Sequence, residues 1–235
     1  MDGRISPAKT YATVYGALLL ACALLSLLVA AHHPSGPASP HAPADALRML
    51  AAQATLIEGV HGALLALFAI EIAGFYGFAR LLGLQRPLAA AGLILLGAGT
   101  AAMMAAGTIN GFAVPAFASS YADLKPADVS AVVTALRLCW RLNQAFASIG
   151  AVAMGGAMLL WSIALAGRAG WPRLVGGFGM LAGAAIAGGV ASGLLRLHVG
   201  GFILFTALFS AWAAAVALLM LTGRLEEPAD AQQER

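Results

Sequence analysis

Six long apolar stretches, separated by short polar ones, dominate this chain and decide the solvent in which it folds. A bilayer's hydrocarbon is about 30 Å thick, and an α-helix needs about 20 apolar residues to cross it. Windows of that size lie near 11–31, 56–79, 88–110, 142–167, 174–195 and 199–222. In hydrocarbon each backbone amide must be satisfied within its own segment or a closed barrel, so stretches of this length are helices. The fold class expected is all-α, a polytopic transmembrane helical bundle with six membrane-spanning helices in a single domain over 1–235. Composition leaves no room for a soluble domain beside it: 61% of the 235 residues are hydrophobic and 10% are charged. The polar remainder, including the tail from Gly223 to Arg235, is too short to bury a core. The lipid bilayer is therefore the first partner, and a formal charge of +3 drawn from so few residues does not point to nucleic acid.

Orientation follows from Lys and Arg, which are retained on the cytoplasmic side of short loops. Arg4, Lys9, Arg80, Arg86, Arg168, Arg173, Arg224 and Arg235 fall on the side of the N-terminus; Arg48, Lys125, Arg137, Arg141 and Arg196 fall on the other. Eight against five places both termini in the cytoplasm of a multi-pass protein, with a bacterial-type cytoplasmic (inner) membrane as the expected location. The first apolar run has the charged approach of a secretory signal, and Leu19, Leu20, Ala21 and Cys22 resemble a lipoprotein processing box. Its length from Tyr11 to Ala31 exceeds a signal core of about 7–15 residues, so it is read as a retained span. Cys22 then lies within the membrane and Cys139 near the outer rim, a placement that argues against a disulfide.

The outer loops are proline-rich. His32 to Pro43 holds His32, His33 and His41 among four prolines. Pro43 suits the first turn of an interfacial helix over Ala44 to Gln53. Pro126 is placed to open a second such helix, whose Val129, Val132, Val133 and Leu136 would lie on the membrane before span four begins. Glycines at GxxxG spacing, Gly107 and Gly111, Gly179 and Gly183, Gly189 and Gly193, are expected to let neighbouring backbones approach within the bundle.

Polar side chains inside spans are costly and mark function or pairing. In span two, Glu58 and His61 stand three apart on one face. Glu-x-x-His is also the helical element used twice in di-iron carboxylate bundles, but here it occurs once and the other spans lack the inward glutamates. Arg137, Arg141, Gln144 and Ser148 form one stripe of span four, with Asn143 off it and Trp140 suited to the interface. Two readings of these arginines stay open: both snorkel to headgroups with their stems on lipid, or Arg141 meets Glu58 as its counter-charge. With Asn110, Arg196 and His198, these residues define a candidate ligand-binding set in the outer half: Glu58, His61, Asn110, Arg137, Arg141, Gln144, Arg196 and His198. All five histidines map to that half. Glu71, deeper in span two, is a candidate proton-handling group or a neutral acid bonded to a hydroxyl such as that of Thr100.

Leu159, Leu160 and Trp161 run through Trp171, Pro172 and Arg173 to Gly176 and Gly177, with Gly179, Leu181, Ala182 and Gly183 beyond. In this helix, arginine turn, helix pattern and in overall layout the chain resembles the small six-helix bacterial membrane proteins grouped as families of unknown function. The resemblance implies a fold and no activity, and brings no site residues with it.

Three functions stay open. The first is an outward-facing polar site that binds or passes a small ligand, an ion or a lipid headgroup. The second is a metal- or haem-binding redox protein, with His61 and His198 as ligands and His32, His33 and His41 gathering metal ions. The third is a non-catalytic subunit or assembly factor that docks on a membrane-protein partner. Whether the chain is an enzyme is left undecided: Ser26, Ser148, Ser162, Ser192 and Ser210 all lie in spans without a nucleophile elbow, and neither a phosphate loop nor a dinucleotide fingerprint occurs.

Overall fold

A computed structural model describes residues 7–33, 43–123 and 129–225. The described residues are helical, without strands. The elements are α1 (Pro7–Ala31), α2 (Pro43–Ala52), α3 (Ala54–Leu82), α4 (Pro87–Thr108), a π-helical turn (Ile109–Ala113), α5 (Val114–Ser120), α6 (Val129–Ala166), α7 (Trp171–Ala191) and α8 (Val199–Leu221). Six of the helical stretches are long and apolar enough to cross a membrane, as the sequence windows require. Prolines open α4 and α7 at positions where a missing N–H costs nothing. Gly83, at φ +91°, turns the chain between α3 and α4 in a conformation closed to most side chains.

The spans form two layers of three. In one, α1 packs between α3 and α8; in the other, α6 packs between α4 and α7. The layers join where α3 meets α4 and where α7 meets α8, closing a ring. Within the layers, glycine sets the approach. Gly99 of α4 and Gly150 of α6 lie against each other's carbonyls, as do Gly155 of α6 and Gly183 of α7, and a Cβ at any of the four would crowd the opposite backbone. Gly74 and Gly77 of α3 receive Leu19 and Tyr15 of α1 in the same way. Close packing of this kind replaces the hydrophobic drive that lipid removes. The expected intramolecular role holds for Gly107, Gly111, Gly179 and Gly183, whereas Gly193 serves a turn at φ +76°.

Between the layers the ring is filled by aromatic side chains. Phe75 stacks on Trp161 and on Trp212 at centroid distances of 5.2 and 5.6 Å, and Phe78 meets both indoles edge-on. Trp161, fully buried, donates from Nε1 to the Ala89 carbonyl at 3.1 Å. The outer faces carry Ile94, Ile149, Leu174 and Leu181, each more than half exposed, which suits contact with lipid tails.

Two expectations need correction. The third apolar helix does not end near 110; it continues through the π-turn to Ser120. Nor does the valine face before span four lie on the membrane. Val129, Val132 and Leu136 belong to α6 itself and are buried with Leu47 of α2 and with Val114 and Ala118 of α5. An apolar face that could have met lipid is used to hold a small helical cap onto the bundle. The residues between His33 and Pro43, with His41, and the stretch 124–128, with Lys125 and Pro126, lie outside the described residues.

Candidate functional site

One end of the bundle carries His32, His33, His61 and His198 and is called the histidine end; Arg80, Arg86, Arg168, Arg173 and Arg224 lie at the opposite, arginine end. Between the two layers at the histidine end is a cavity of about 240 Å³. Its deeper wall is apolar, from Leu64, Leu65 and Phe68 of α3, Met103 of α4 and Ala147 of α6. Its polar lining comes from His33, His61, Asn110, Asn143, Gln144 and His198. Trp140 and His198 are both exposed and mark the mouth. The lining stops short of Phe75, Trp161 and Trp212, so the cavity is called a vestibule.

The backbone builds this site at the π-turn. Pro115 has no N–H to give and its ring crowds the carbonyl one turn back, so the regular α-ladder cannot run through Gly111 to Pro115. The wider turn answers this: Val114 N–H reaches Ile109 O, five residues back. Such turns are frequent where a helix re-aims a side chain. Here Asn110 faces His61, and Gly111 lies so close to the His61 side chain that a Cβ would overlap it.

His61 is buried and bonded at both ring nitrogens. Nδ1 donates to the Ile57 carbonyl at 2.8 Å. A carbonyl only accepts, so neutral His61 carries its proton on Nδ1, and Nε2 accepts from Asn110 Nδ2 at 3.2 Å. His33, at the end of α1, lies edge-on to His61 with centroids 4.9 Å apart and beside Phe202 of α8. His198 caps α8, its Nδ1 accepting from Gly201 N–H at 3.3 Å. On α6, Asn143 Nδ2 donates to Ala106 O at 2.9 Å, and Gln144 Nε2 donates to Leu197 O at 3.1 Å. These two amides tie α6 to α4 and to the α7–α8 link.

Of the residues predicted as a ligand site, His61, Asn110, Gln144 and His198 line the cavity, and Glu58, Arg137, Arg141 and Arg196 do not. Arg137, Arg141 and Arg196 are exposed and Glu58 is half-buried. Among the described residues no ion pair joins Glu58 to Arg141; the one seen is Arg48 with Asp45, on the surface of α2. The lining is thus polar but without a formal charge carrier of the Asp, Glu, Lys or Arg type. Asn143, Trp140 and Phe202 were not in the predicted set. For Asn143 the available signal was a carboxamide inside a spanning helix, which needs a partner.

Glu71 is buried next to Cys22 of α1, apart from the cavity, and no hydrogen bond joins it to Thr100. Cys22 and Cys139 are both free thiols.

Among the described residues the donor set does not fit a metal or a haem; His41 lies outside them. No group of three or more His, Cys, Asp and Glu among the described residues is placed to hold a metal ion. The Nδ1–H bond of His61 to a carbonyl is the orientation that ligating histidines use, but its Nε2 already accepts from Asn110. His32 is turned away, donating to Leu28 O on the surface. A haem is larger than a drug-sized ligand, whose pockets measure roughly 300–1,000 Å³, and the vestibule is smaller than that range. Comparison of the chain with protein families, with curated proteins and with solved structures finds no match.

Proposed function

We propose that this integral membrane protein binds a small uncharged or amphipathic molecule in the vestibule at its histidine end. The observation that carries the reading is a cavity whose deep wall is apolar and whose rim is made of neutral hydrogen-bonding groups. Pockets for small molecules combine an apolar lining with a few polar groups that fix orientation. An anion would want the arginines, and these lie outside the lining. Passage through the bundle is the weaker form of the reading, because Phe75, Trp161 and Trp212 pack the space beneath.

The vestibule suits a molecule that reaches it from the interface. His61 stands 19 residues from Arg80, roughly 28 Å along α3 at 1.5 Å per residue, which is close to one hydrocarbon thickness. With the arginine end in the cytoplasm, as the eight-to-five charge asymmetry suggests, the mouth opens on the outer face. A phosphatase fused after Arg235 should then be inactive in cells; an active fusion would reverse the orientation.

The test of the reading is ligand-induced stabilisation of the detergent-purified protein across a panel of small neutral compounds. Occupancy at 100 times Kd stabilises a folded state by about 2.7 kcal/mol. A compound that stabilises the wild type but not a Leu65→Trp variant, in which the cavity is filled, supports the reading. A panel that leaves the wild type unmoved, or moves both proteins equally, refutes it.

A further inference from the structure

Resting on the reading that the vestibule is a binding site, we propose that its ligand is a neutral aromatic alcohol, of the phenol or quinol class. The argument is an inventory of hydrogen-bonding groups left over once the protein's own bonds are counted. Asn110 spends its Nδ2 on His61, and its Oδ1 accepts no bond among the described residues. Gln144 spends its Nε2 on Leu197 O and Asn143 Oδ1, and its Oε1 likewise accepts none. His198 accepts at Nδ1 from Gly201, so in the neutral ring the proton sits on Nε2, where it has no partner among the described residues. With the second N–H of Asn110 Nδ2 and of Asn143 Nδ2, and the Trp140 indole N–H, which has no partner among the described residues, the surplus is two carbonyl-type acceptors and four N–H donors.

A hydroxyl matches that surplus because it donates one bond and accepts others. A carboxylate or phosphate only accepts, and would meet two oxygens with no guanidinium or ammonium group in the lining. An ammonium would find acceptors but no carboxylate, since neither Glu58 nor Glu71 lines the cavity. An apolar molecule would leave these groups unmatched on desolvation, at a cost of about 1–3 kcal/mol for each one fully buried.

The rest of the molecule is argued from the walls. Phe68, Phe202, Trp140, His33 and His61 surround the space with flat π-systems, and these favour a stacked or edge-on ring. Size agrees: a cavity of about 150 Å³ accepts benzene, so 240 Å³ takes one ring with a few substituents. The same head could arrive free in water or on an apolar tail in the bilayer.

The experiment is calorimetric titration of the full-length protein, in lipid nanodiscs, with 4-ethylphenol, ethylbenzene, benzoate and 4-nonylphenol. The expected result is saturable binding of 4-ethylphenol, at least tenfold tighter than ethylbenzene and than benzoate. Gln144→Leu should bring the ratio of ethylphenol to ethylbenzene affinity down toward one, and a variant that stays monodisperse and still binds ethylbenzene saturably is shown to fold. Nonylphenol binding tighter than ethylphenol, at equal concentration in the membrane, assigns a lipid-borne ligand; equal binding assigns a water-borne one, and either supports the proposal. Ethylbenzene or benzoate binding as well as ethylphenol overturns the aromatic-alcohol assignment and leaves the vestibule as a site. Absence of saturable binding by any of the four, with wild type and Leu65→Trp alike, overturns both.

Discussion

Gly111→Ala offers the sharpest test of how the site is built. In a helix, alanine in place of glycine gains about 1 kcal/mol of propensity, and that gain is what a surface glycine such as Gly59, with nothing within 4 Å of its missing Cβ, should show. At Gly111 the new Cβ would overlap His61 Cγ and also His61 Cβ, an atom fixed to the α3 backbone that no rotamer change can move away. Forcing a methyl into a packed contact costs about 1–3 kcal/mol. Pushing α3 from the π-turn also strains the 3.2 Å bond between Asn110 and His61, a bond worth about 0.5–1.5 kcal/mol net. The balance is a loss of roughly 1–3 kcal/mol for Gly111→Ala against a gain approaching 1 for Gly59→Ala. At about 2–4 °C per kcal/mol for a chain of this size, the two variants should melt roughly 5–15 °C apart. Cys22 is 2% exposed and gives a natural reporter: a thiol-reactive dye will label it only on unfolding, once Cys139→Ser has removed the half-buried second thiol. Equal midpoints for the two alanine variants would refute the claim that Gly111 is there to admit His61.

Three further outcomes follow from named contacts. Asn110→Ala leaves the buried His61 Nε2 without its donor and should destabilise by about 1–3 kcal/mol; in a double-mutant cycle with His61→Ala a coupling of at least about 0.5 kcal/mol is expected, and strict additivity would show that the bond contributes nothing. Trp161→Phe removes the donor to Ala89 O in the centre of the ring and should lower stability by at least about 1 kcal/mol, read by the same dye assay; no change would mean that stacking on Phe75 alone holds the two layers. Arg141→Ala and Glu58→Gln should each shift stability by under about 0.5 kcal/mol, as surface changes do, and add without coupling. A coupling above about 1 kcal/mol would restore the ion pair that the sequence suggests and the structure lacks.

The six spans were legible because mean hydropathy is a property of a segment, independent of what it packs against. Where the helices outrun the membrane, that measure stops being informative. α6 has 38 residues, about 57 Å at 1.5 Å per residue, nearly twice the hydrocarbon thickness. Its first thirteen residues therefore leave the apolar slab, and their valines pack on α2 and α5 instead of on lipid. Arg137 and Arg141 sit on this projecting part. They are exposed because water or headgroups can reach them, and they need no carboxylate. The level of the site was readable for the same arithmetic reason: His61, Asn110, Gln144 and His198 each lie about one bilayer thickness from the arginine end, and all four line one cavity.

What counting could not supply is rotation about the helix axis. The predicted set draws Arg137, Arg141 and Gln144 from one polar stripe of α6, yet the residues of α6 that line the cavity are Trp140, Asn143, Gln144 and Ala147. Charge was the wrong guide, since a charged stripe turns outward wherever the helix extends beyond the hydrocarbon. Small residues were the better one. Gly150 must face α4, because only glycine lets the carbonyl of Gly99 approach. Stepping back along α6 from Gly150 by three and then four residues gives Ala147 and Asn143, which share its face. Asn143 then meets α4 at Ala106 O, as found. The rule is physical: in a bundle held together by close backbone contact, the glycines fix each helix's rotation, and polar residues lying on the glycine face are the ones that end up inside.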